Sequence, residues 1–165
     1  MVIILYSLVR VISQMLLVMN DARVPASTFI TSNLRAGTSL EYTYYPPTLP
    51  EDFFEREHNY PLHFIKSALD SVPTSKKYEF NTGEIGLDER QTDYLVIDSF
   101  TYDKFNDPYT CTTMQVECDF FKQLATGQSA HYKLIAEFSY TLPAYLPQLN
   151  TTFINPTIRI YERIE

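Results

Sequence analysis

Residues 2–19 constrain this chain most, because they form an apolar run, VIILYSLVRVISQMLLVM, that has to be shielded from water. No acidic residue interrupts the run, and its strongly polar members are Ser7, Arg10, Ser13 and Gln14. A helix needs about 20 apolar residues to span a bilayer, so this run is at the short end of that range. Signal peptides place positive charge before the apolar run, whereas Arg10 lies inside it. The run therefore predicts an apolar helix rather than a simple secretion signal.

The polar residues of this segment predict which side of the helix meets water. Ser7, Arg10, Gln14 and Asp21 are spaced by three, four and seven residues, which places them along one side of a helix. Three arrangements would shield the broad apolar remainder. The helix packs into the core of its own domain, lies in or across a membrane with Arg10 reaching the interface or paired, or bundles with copies of itself. The side chains expected at an interface are Leu5, Leu8, Arg10, Ile12, Leu16 and Met19.

Chain length and punctuation predict one domain behind this helix. Asn20, Asp21 and Pro25 indicate that the helix ends or kinks there. We therefore divide the chain into an apolar N-terminal helix, residues 1–26, and a single β-rich domain, residues 27–165. With 165 residues, 45% of them hydrophobic, the chain is large enough for one domain with a core. Its net charge of −7 would repel a phosphate backbone, so nucleic acid is not an expected partner.

Most of the remaining chain alternates apolar and polar side chains with a period of two, which is typical of half-buried strands. In residues 113–121, the clearest case, apolar side chains at even positions from Met114 to Phe120 alternate with polar ones. In the last strand Ile158 and Ile160 face the core, and Tyr161 faces the other way. The predicted strands are residues 38–45, a segment that starts at Tyr78, and residues 94–102, 113–121, 131–142 and 157–164.

One amphipathic helix is predicted between these strands. Pro61 suits a first helical position, and apolar residues from Leu62 to Val72 follow at spacings of three and four until Pro73. Half-buried strands joined by short turns predict an antiparallel meander with one face exposed to water. The predicted fold class is α+β: an apolar N-terminal helix, then a mostly antiparallel β-sheet domain with one packed amphipathic helix.

Cys111 and Cys118 are the two cysteines of the chain. If residues 111–118 form one strand, their Cα atoms lie about 23 Å apart and their side chains point to opposite faces. A disulfide requires a Cα separation below about 7 Å. We therefore expect free thiols, with Cys118 a small core residue, unless a turn at Thr112 and Thr113 brings the cysteines together.

The sequence contains no motif for catalysis or for metal binding. His58 and His63 are five residues apart, a spacing that does not stack on one helical face, and neither a GxSxG elbow nor a glycine-rich nucleotide loop is present. Asp103 and Asp107 fall in a predicted loop and are interpreted as solvated turn residues. We therefore expect no catalytic residue, no cofactor, no metal site and no enzymatic activity.

The C-terminal end resembles a known family. From His131 a strand runs to Tyr-Thr-Leu-Pro at residues 140–143, a Pro-containing loop follows, and a final strand closes on Arg-Ile-Tyr-Glu at residues 159–162. Together with the apolar run at residues 2–19, this resembles TadE-like pilus-assembly proteins, the minor pilin-like subunits of tight-adherence pili. The resemblance implies that an apolar N-terminal helix anchors a small β domain.

These observations predict a non-enzymatic structural or assembly subunit. Its apolar helix would contact other subunits, copies of itself, or a membrane through residues 2–19. The protein would then be located in a pilus-like surface filament. Two alternatives remain open at this point. The first is a virion component, such as a capsid, head-to-tail connector or tail protein, and the second is a β module that binds a peptide or another ligand.

Overall fold

The computed structural model describes residues 2–34, 38–43, 45–49, 59–61, 92–149 and 154–164. These residues combine helices with one sheet, which confirms the α+β class. The helices are α1 (Val2–Met19), α2 (Arg23–Asn33), α3 (Ser99–Tyr102), a 3-10 helix (Asp103–Asn106), α4 (Pro108–Thr113) and α5 (Gln115–Thr126). The strands are β1 (Leu40–Tyr42), β2 (Asn59–Pro61), β3 (Tyr94–Asp98), β4 (Tyr132–Phe138) and β5 (Ile158–Arg163).

The five described strands form one mixed sheet in the order β2-β1-β3-β5-β4. Strand β1 runs parallel to β2 and β3, whereas β5 runs antiparallel to β3 and β4 in the two longer ladders. The sheet is thus mostly antiparallel, as predicted, but the predicted meander is wrong. The segment after β3 is helical, and the last strand, β5, takes the place between β3 and β4.

Helices cover both faces of the central strands, so the predicted water-exposed face is wrong there. On one face, Leu95 and Tyr161 pack against Phe121 and Leu124 of α5. On the other face, the core contains residues of β3, of β5 and of α2 with its N-cap: Val96, Ile158, Ile160, Ala22, Ala26 and Ile30. Tyr161, expected to face water, is 1% exposed. Alternation along one strand cannot show that a helix from elsewhere in the chain covers its polar-looking side.

Residues 113–121 are not a strand, since most of them lie in helix α5. Its buried positions, among them Cys118, Phe121 and Leu124, recur every three residues, whereas Val116 is 49% exposed. The helical period is already present in Met114, Cys118 and Phe121, which follow at spacings of four and three residues. Gly127 ends the helix with a left-handed φ of 68°, and its N–H bonds to the Leu124 carbonyl at 3.2 Å.

The two cysteines form a disulfide, so the expectation of free thiols is wrong. Asp107 caps α4 by accepting a hydrogen bond from the Thr110 N–H at 2.9 Å, and the chain then turns at Met114 into α5. This helix–turn–helix path brings the Cα atoms of Cys111 and Cys118 to 5.6 Å. The distance expected for a strand does not apply, because a helix rises only about 1.5 Å per residue.

Strand β4 changes the face to which its side chains point. The register with β5 shifts between Leu134 and Ala136, which is the signature of a bulge. As a result, Tyr132 packs with α5, whereas Ala136 and Phe138 pack on the α2 side. Leu134, predicted to be buried, is 43% exposed.

Other predicted elements have mixed outcomes. The strand around Leu40 is confirmed over Leu40–Tyr42. The strand predicted over residues 94–102 ends at Asp98, whose carboxylate caps α3. Pro61 ends β2 rather than beginning a helix. The helix predicted after Pro61 and the strand predicted to start at Tyr78 lie outside the described residues.

Candidate functional site

Helix α1 exposes an extensive apolar surface. Its ten exposed large apolar side chains range from 42% exposed at Ile12 to 80% at Ile3. This set, the α1 apolar surface, consists of Ile3, Ile4, Leu5, Tyr6, Leu8, Val11, Ile12, Met15, Val18 and Met19. Among the described residues, the helical segment Ile3–Asn33 contains an 18-residue stretch that is long and apolar enough to cross a membrane, with a mean hydropathy of 1.7. Signal sequences and the core helices of soluble proteins meet the same criterion, so length and composition do not decide between them.

In the second half of α1, one side of the helix is buried against the rest of the protein. Ser13 is fully buried and Leu17 is 7% exposed, one helical turn apart on the same side. The Ser13 hydroxyl donates to the Val9 carbonyl at 3.0 Å, so its polar group is satisfied within the helix. Arg10 and Gln14, from the predicted polar side, are exposed to solvent.

A hydrogen-bonded junction fixes the end of α1 against the body. The Asp21 carboxylate accepts from the Arg23 side chain at 2.9 and 2.6 Å and from the Asn155 N–H at 3.3 Å. The Asn155 side chain accepts from the Ala22 N–H at 3.0 Å and donates to the Tyr140 carbonyl at 2.7 Å. Ala22 has no side chain that could cap α2, so Asp21 accepts from the Arg23 N–H at 2.9 Å, and Asn155, from the distant end of the chain, accepts from the Ala22 N–H. We call this set of residues the Asn155 junction.

The charge on Asp21 is stabilised by this junction. Burial acts to raise the pKa of Asp21, but the hydrogen bonds and positive charge of Arg23 outweigh burial and hold the pKa below its ordinary value. Asp21 therefore remains ionised at neutral pH.

The structure places the predicted interface residues on or beside the α1 apolar surface. Leu5, Leu8, Ile12 and Met19 belong to it, and Leu16 is half-buried at its border. Arg10 is exposed, with its guanidinium 5.9 Å from the ring centre of Tyr6. The prediction omitted several members of the surface, although they follow the same helical spacing: Ile4, Val11, Met15 and Val18.

An apolar recess continues this surface at the base of α1. It has a volume of about 370 Å³ and is lined by Gln14, Met15, Val18, Met19 and Ile154. Ile154 comes from the loop before β5, so no local sequence pattern indicated its place beside α1. The recess is large enough to receive an apolar side chain from a partner.

A buried carboxylate elsewhere in the fold has a structural explanation. Asp98 is 1% exposed, and its carboxylate accepts from the Thr101 N–H at 2.9 Å, the Thr101 hydroxyl at 2.8 Å, the Tyr45 N–H at 3.1 Å and the Thr43 hydroxyl. These donors satisfy the carboxylate and connect α3 to the segment after β1. Asp98 thus stabilises the fold.

A second polar cluster lies where β4 and β5 meet α3. Arg159 bonds Glu137 at 2.6 Å and lies 4.9 Å from the ring centre of Tyr102, and burial raises the pKa of Tyr102 to about 12. The Tyr161 hydroxyl is buried and finds no hydrogen-bond partner in the part of the chain that the structure describes. Within that same part, no group of three or more His, Cys, Asp or Glu side chains could hold a metal ion.

The β4 strand lies at one of the two edges of the described sheet, and a peptide strand adds at such an edge. The bulge at Leu134–Ala136 interrupts its regular hydrogen-bonding pattern, and Lys133 places a charge on the strand. Both features oppose strand addition. The β4 edge is therefore a weaker candidate than the α1 apolar surface.

Comparisons with protein families, with characterised proteins and with solved structures find no match to this chain. The resemblance to TadE-like proteins therefore stays a prediction.

Proposed function

We propose that this protein is a non-enzymatic structural subunit that joins an assembly through α1, as pilin-like proteins do. In this role α1 contacts other subunits or a membrane, and the α+β body forms the exposed part. The observation that carries the proposal is the α1 apolar surface, with ten large apolar side chains on one helix exposed to water. Contiguous exposed apolar surface of this extent is typical of interaction sites.

The magnitude of the apolar contribution supports stable attachment. Complete burial of a large apolar side chain contributes roughly 1.5–3 kcal/mol. Because these side chains are already partly covered, we take about 1 kcal/mol for each, or on the order of 10 kcal/mol together. Association costs about 4–15 kcal/mol in lost translational and rotational freedom, so α1 supplies a large share of what attachment requires.

Two further features agree with a surface assembly. Ser13, Leu17 and the Asn155 junction hold the end of α1 against the body, which gives the apolar surface a defined direction. The disulfide between Cys111 and Cys118 is of the kind that persists in oxidising compartments, such as the periplasm or a cell or virion surface.

Full-length variants test the proposal. We expect the protein to self-associate in water or to float with phosphatidylglycerol/phosphatidylethanolamine vesicles, as measured by sedimentation and by flotation. Replacing Ile4, Leu5, Leu8 and Ile12 with Gln should abolish both behaviours. A wild-type protein that is monomeric in water and does not float with vesicles would refute the proposal.

The matched control replaces Tyr109 and Tyr145, which are 80% and 85% exposed on the body, with Gln. It removes similar exposed apolar surface away from α1 and should leave association unchanged. An equal loss of association in the control would show that nonspecific contacts between exposed apolar side chains, and not α1, drive association. A soluble closed ring without vesicle binding would favour the virion alternative over a membrane-attached filament.

A further inference from the structure

One exposed side of α1 carries a heptad pattern. Its apolar side chains follow spacings of four, three, four and three residues, and each is more than half exposed. These positions, which we call the α1 seam, are Ile4, Leu8, Val11, Met15 and Val18. Leu5, Ile12 and Met19, seven residues apart, widen the seam on one side. This is the spacing by which helices pack against each other in coiled coils.

Over Ile4, Leu8 and Val11 the seam faces away from the body of the protein, and at its C-terminal end Met15 and Val18 border the recess that also contains Ile154. At about 100° per residue, its mean direction lies roughly 180° from that of Ser13, which is fully buried on the body. On the same side as Ser13, Val9 and Leu16 are half-buried and Leu17 is buried, whereas Tyr6, nearer the start of the helix, is 55% exposed. The fold thus buries positions of α1 that lie off the seam and leaves every seam side chain more than half exposed.

We propose that a second copy of α1 covers the α1 seam, so that two or more copies form a short coiled coil with their bodies on the outside. This inference rests on the proposed function and names the partner that α1 takes. Each copy offers the same heptad spacing, which makes the surface complementary to itself. The apolar recess beside Met15 and Val18 extends the contact toward the body.

The position of Arg10 favours helix partners over lipid. Arg10 lies midway along Val2–Met19, so a membrane-spanning α1 would carry its charge near the bilayer centre, where charge is costly. In a coiled coil Arg10 lies off the seam, about 120° from its mean direction, and remains in water. Ser7 and Gln14 border the seam on the same polar side. Contact with lipid does not depend on a regular spacing of the apolar side chains. The seam has a regular spacing, which favours a helix as its partner.

The strength of the association follows from the length of the seam. Ile4 to Val18 spans about 21 Å, or two heptads, which is short for an independent coiled coil. We therefore expect a dissociation constant on the order of micromolar.

Two matched full-length variants test the seam. Replacing Leu8 and Met15 with Asn places two amides on the seam, one heptad apart. Replacing Ser7 and Gln14 with Asn places the same residue at two positions one heptad apart beside the seam. By sedimentation equilibrium in detergent-free buffer, we expect the first variant to weaken self-association at least about 30-fold and the second less than about 3-fold. Near-UV circular dichroism and an intact disulfide would verify that both bodies are folded.

Cysteine cross-linking gives an independent measurement. The two natural cysteines are bonded to each other, so an added cysteine is a unique free thiol. Val11 is the midpoint of the seam, and Val11→Cys should form a cross-linked dimer whether the helices are parallel or antiparallel. Arg10→Cys, one residue away but off the seam, should cross-link at least about 10-fold more slowly.

The outcomes separate this inference from the proposed function. Equal weakening by the two Asn variants, or equal cross-linking of the two Cys variants, overturns the seam. A wild-type protein that binds vesicles but does not self-associate also overturns the seam, and it leaves the proposed function standing with lipid as the partner. Absence of both self-association and vesicle binding overturns both.

Discussion

Asn155 joins three segments that lie far apart in the sequence. Its side chain accepts a hydrogen bond from the Ala22 N–H and donates one to the Tyr140 carbonyl, while its N–H donates to Asp21. Its φ of 57° lies in the left-handed region, which Asn tolerates better than most side chains and Gly tolerates freely. Replacing Asn155 with Gly and with Ala therefore separates the side-chain contribution from the backbone contribution.

We expect Asn155→Gly to lower the free energy of unfolding by about 2–3 kcal/mol. The two side-chain hydrogen bonds contribute about 1 kcal/mol each, and their loss leaves a part-buried N–H at the start of α2 without its cap. Asn155→Ala loses the same bonds and should cost about 0.5–1 kcal/mol more. The left-handed backbone disfavours alanine by about 1–2 kcal/mol, and the greater freedom of glycine in the unfolded chain offsets part of that difference.

Urea unfolding followed by circular dichroism measures both values. The control is Asn33→Ala, which removes an exposed hydrogen bond to the Phe29 carbonyl at the end of α2 and should change stability by less than about 0.5 kcal/mol. If Asn155→Ala is as stable as the wild type, the Asn155 junction does not hold the body and α1 together. If the Ala and Gly variants are equally stable, the argument from the left-handed backbone is wrong.

Three further predictions concern the pH dependence, the disulfide and helix α5. Because the pKa of Asp21 is below its ordinary value of 3.8 in the folded protein, its contribution to stability is complete above that pH and is lost as the pH falls through the folded pKa. Asp21→Asn should therefore flatten the acid limb of a stability-against-pH curve, and an unchanged curve would contradict the role of Arg23. Reduction of the Cys111–Cys118 disulfide should lower the free energy of unfolding by about 2–3 kcal/mol in urea titrations with and without reductant. No change on reduction would show that the cross-link does not stabilise the fold. Leu124→Ala, at a buried position of α5, should cost about 2–5 kcal/mol, and Val116→Ala, at an exposed position, less than about 1 kcal/mol. A strand at residues 113–121 would instead make Val116 the sensitive position.

Packing on both sheet faces also explains how a chain with an exposed apolar helix keeps a stable body. The two cores on either side of β3 and β5 do not depend on the exposed part of α1. The first residue of the chain that belongs to either core is Ala22, which follows α1. The predicted division at residue 26 stays a prediction, although Ala22 and Ala26 both lie in the core. Changes to the α1 apolar surface should therefore alter association with little effect on the stability of the body.

The sequence alone determined helix α1 and several strands, because their local residue patterns fit only one type of secondary structure. The apolar run predicts α1, because unbroken apolar composition over 18 residues has few other solutions. The strands around Leu40, Leu95 and Ile160 follow from apolar and aromatic residues that favour a pleated backbone. The sequence also determined part of the α1 apolar surface, since helical spacing alone places Leu8 and Ile12 on one side.

The tertiary structure alone decided what covers each side of these elements. Residues 113–121 have an alternating pattern that fits a strand, yet the packing of Phe121 and Leu124 under the sheet stabilises a helix. The disulfide follows from that helix, because the turn at Met114 brings the cysteines together. Asn155 reaches Ala22 across 133 residues, a contact with no local signature. Periodicity reports which side chains avoid water, but only the folded chain determines which distant segment shields them.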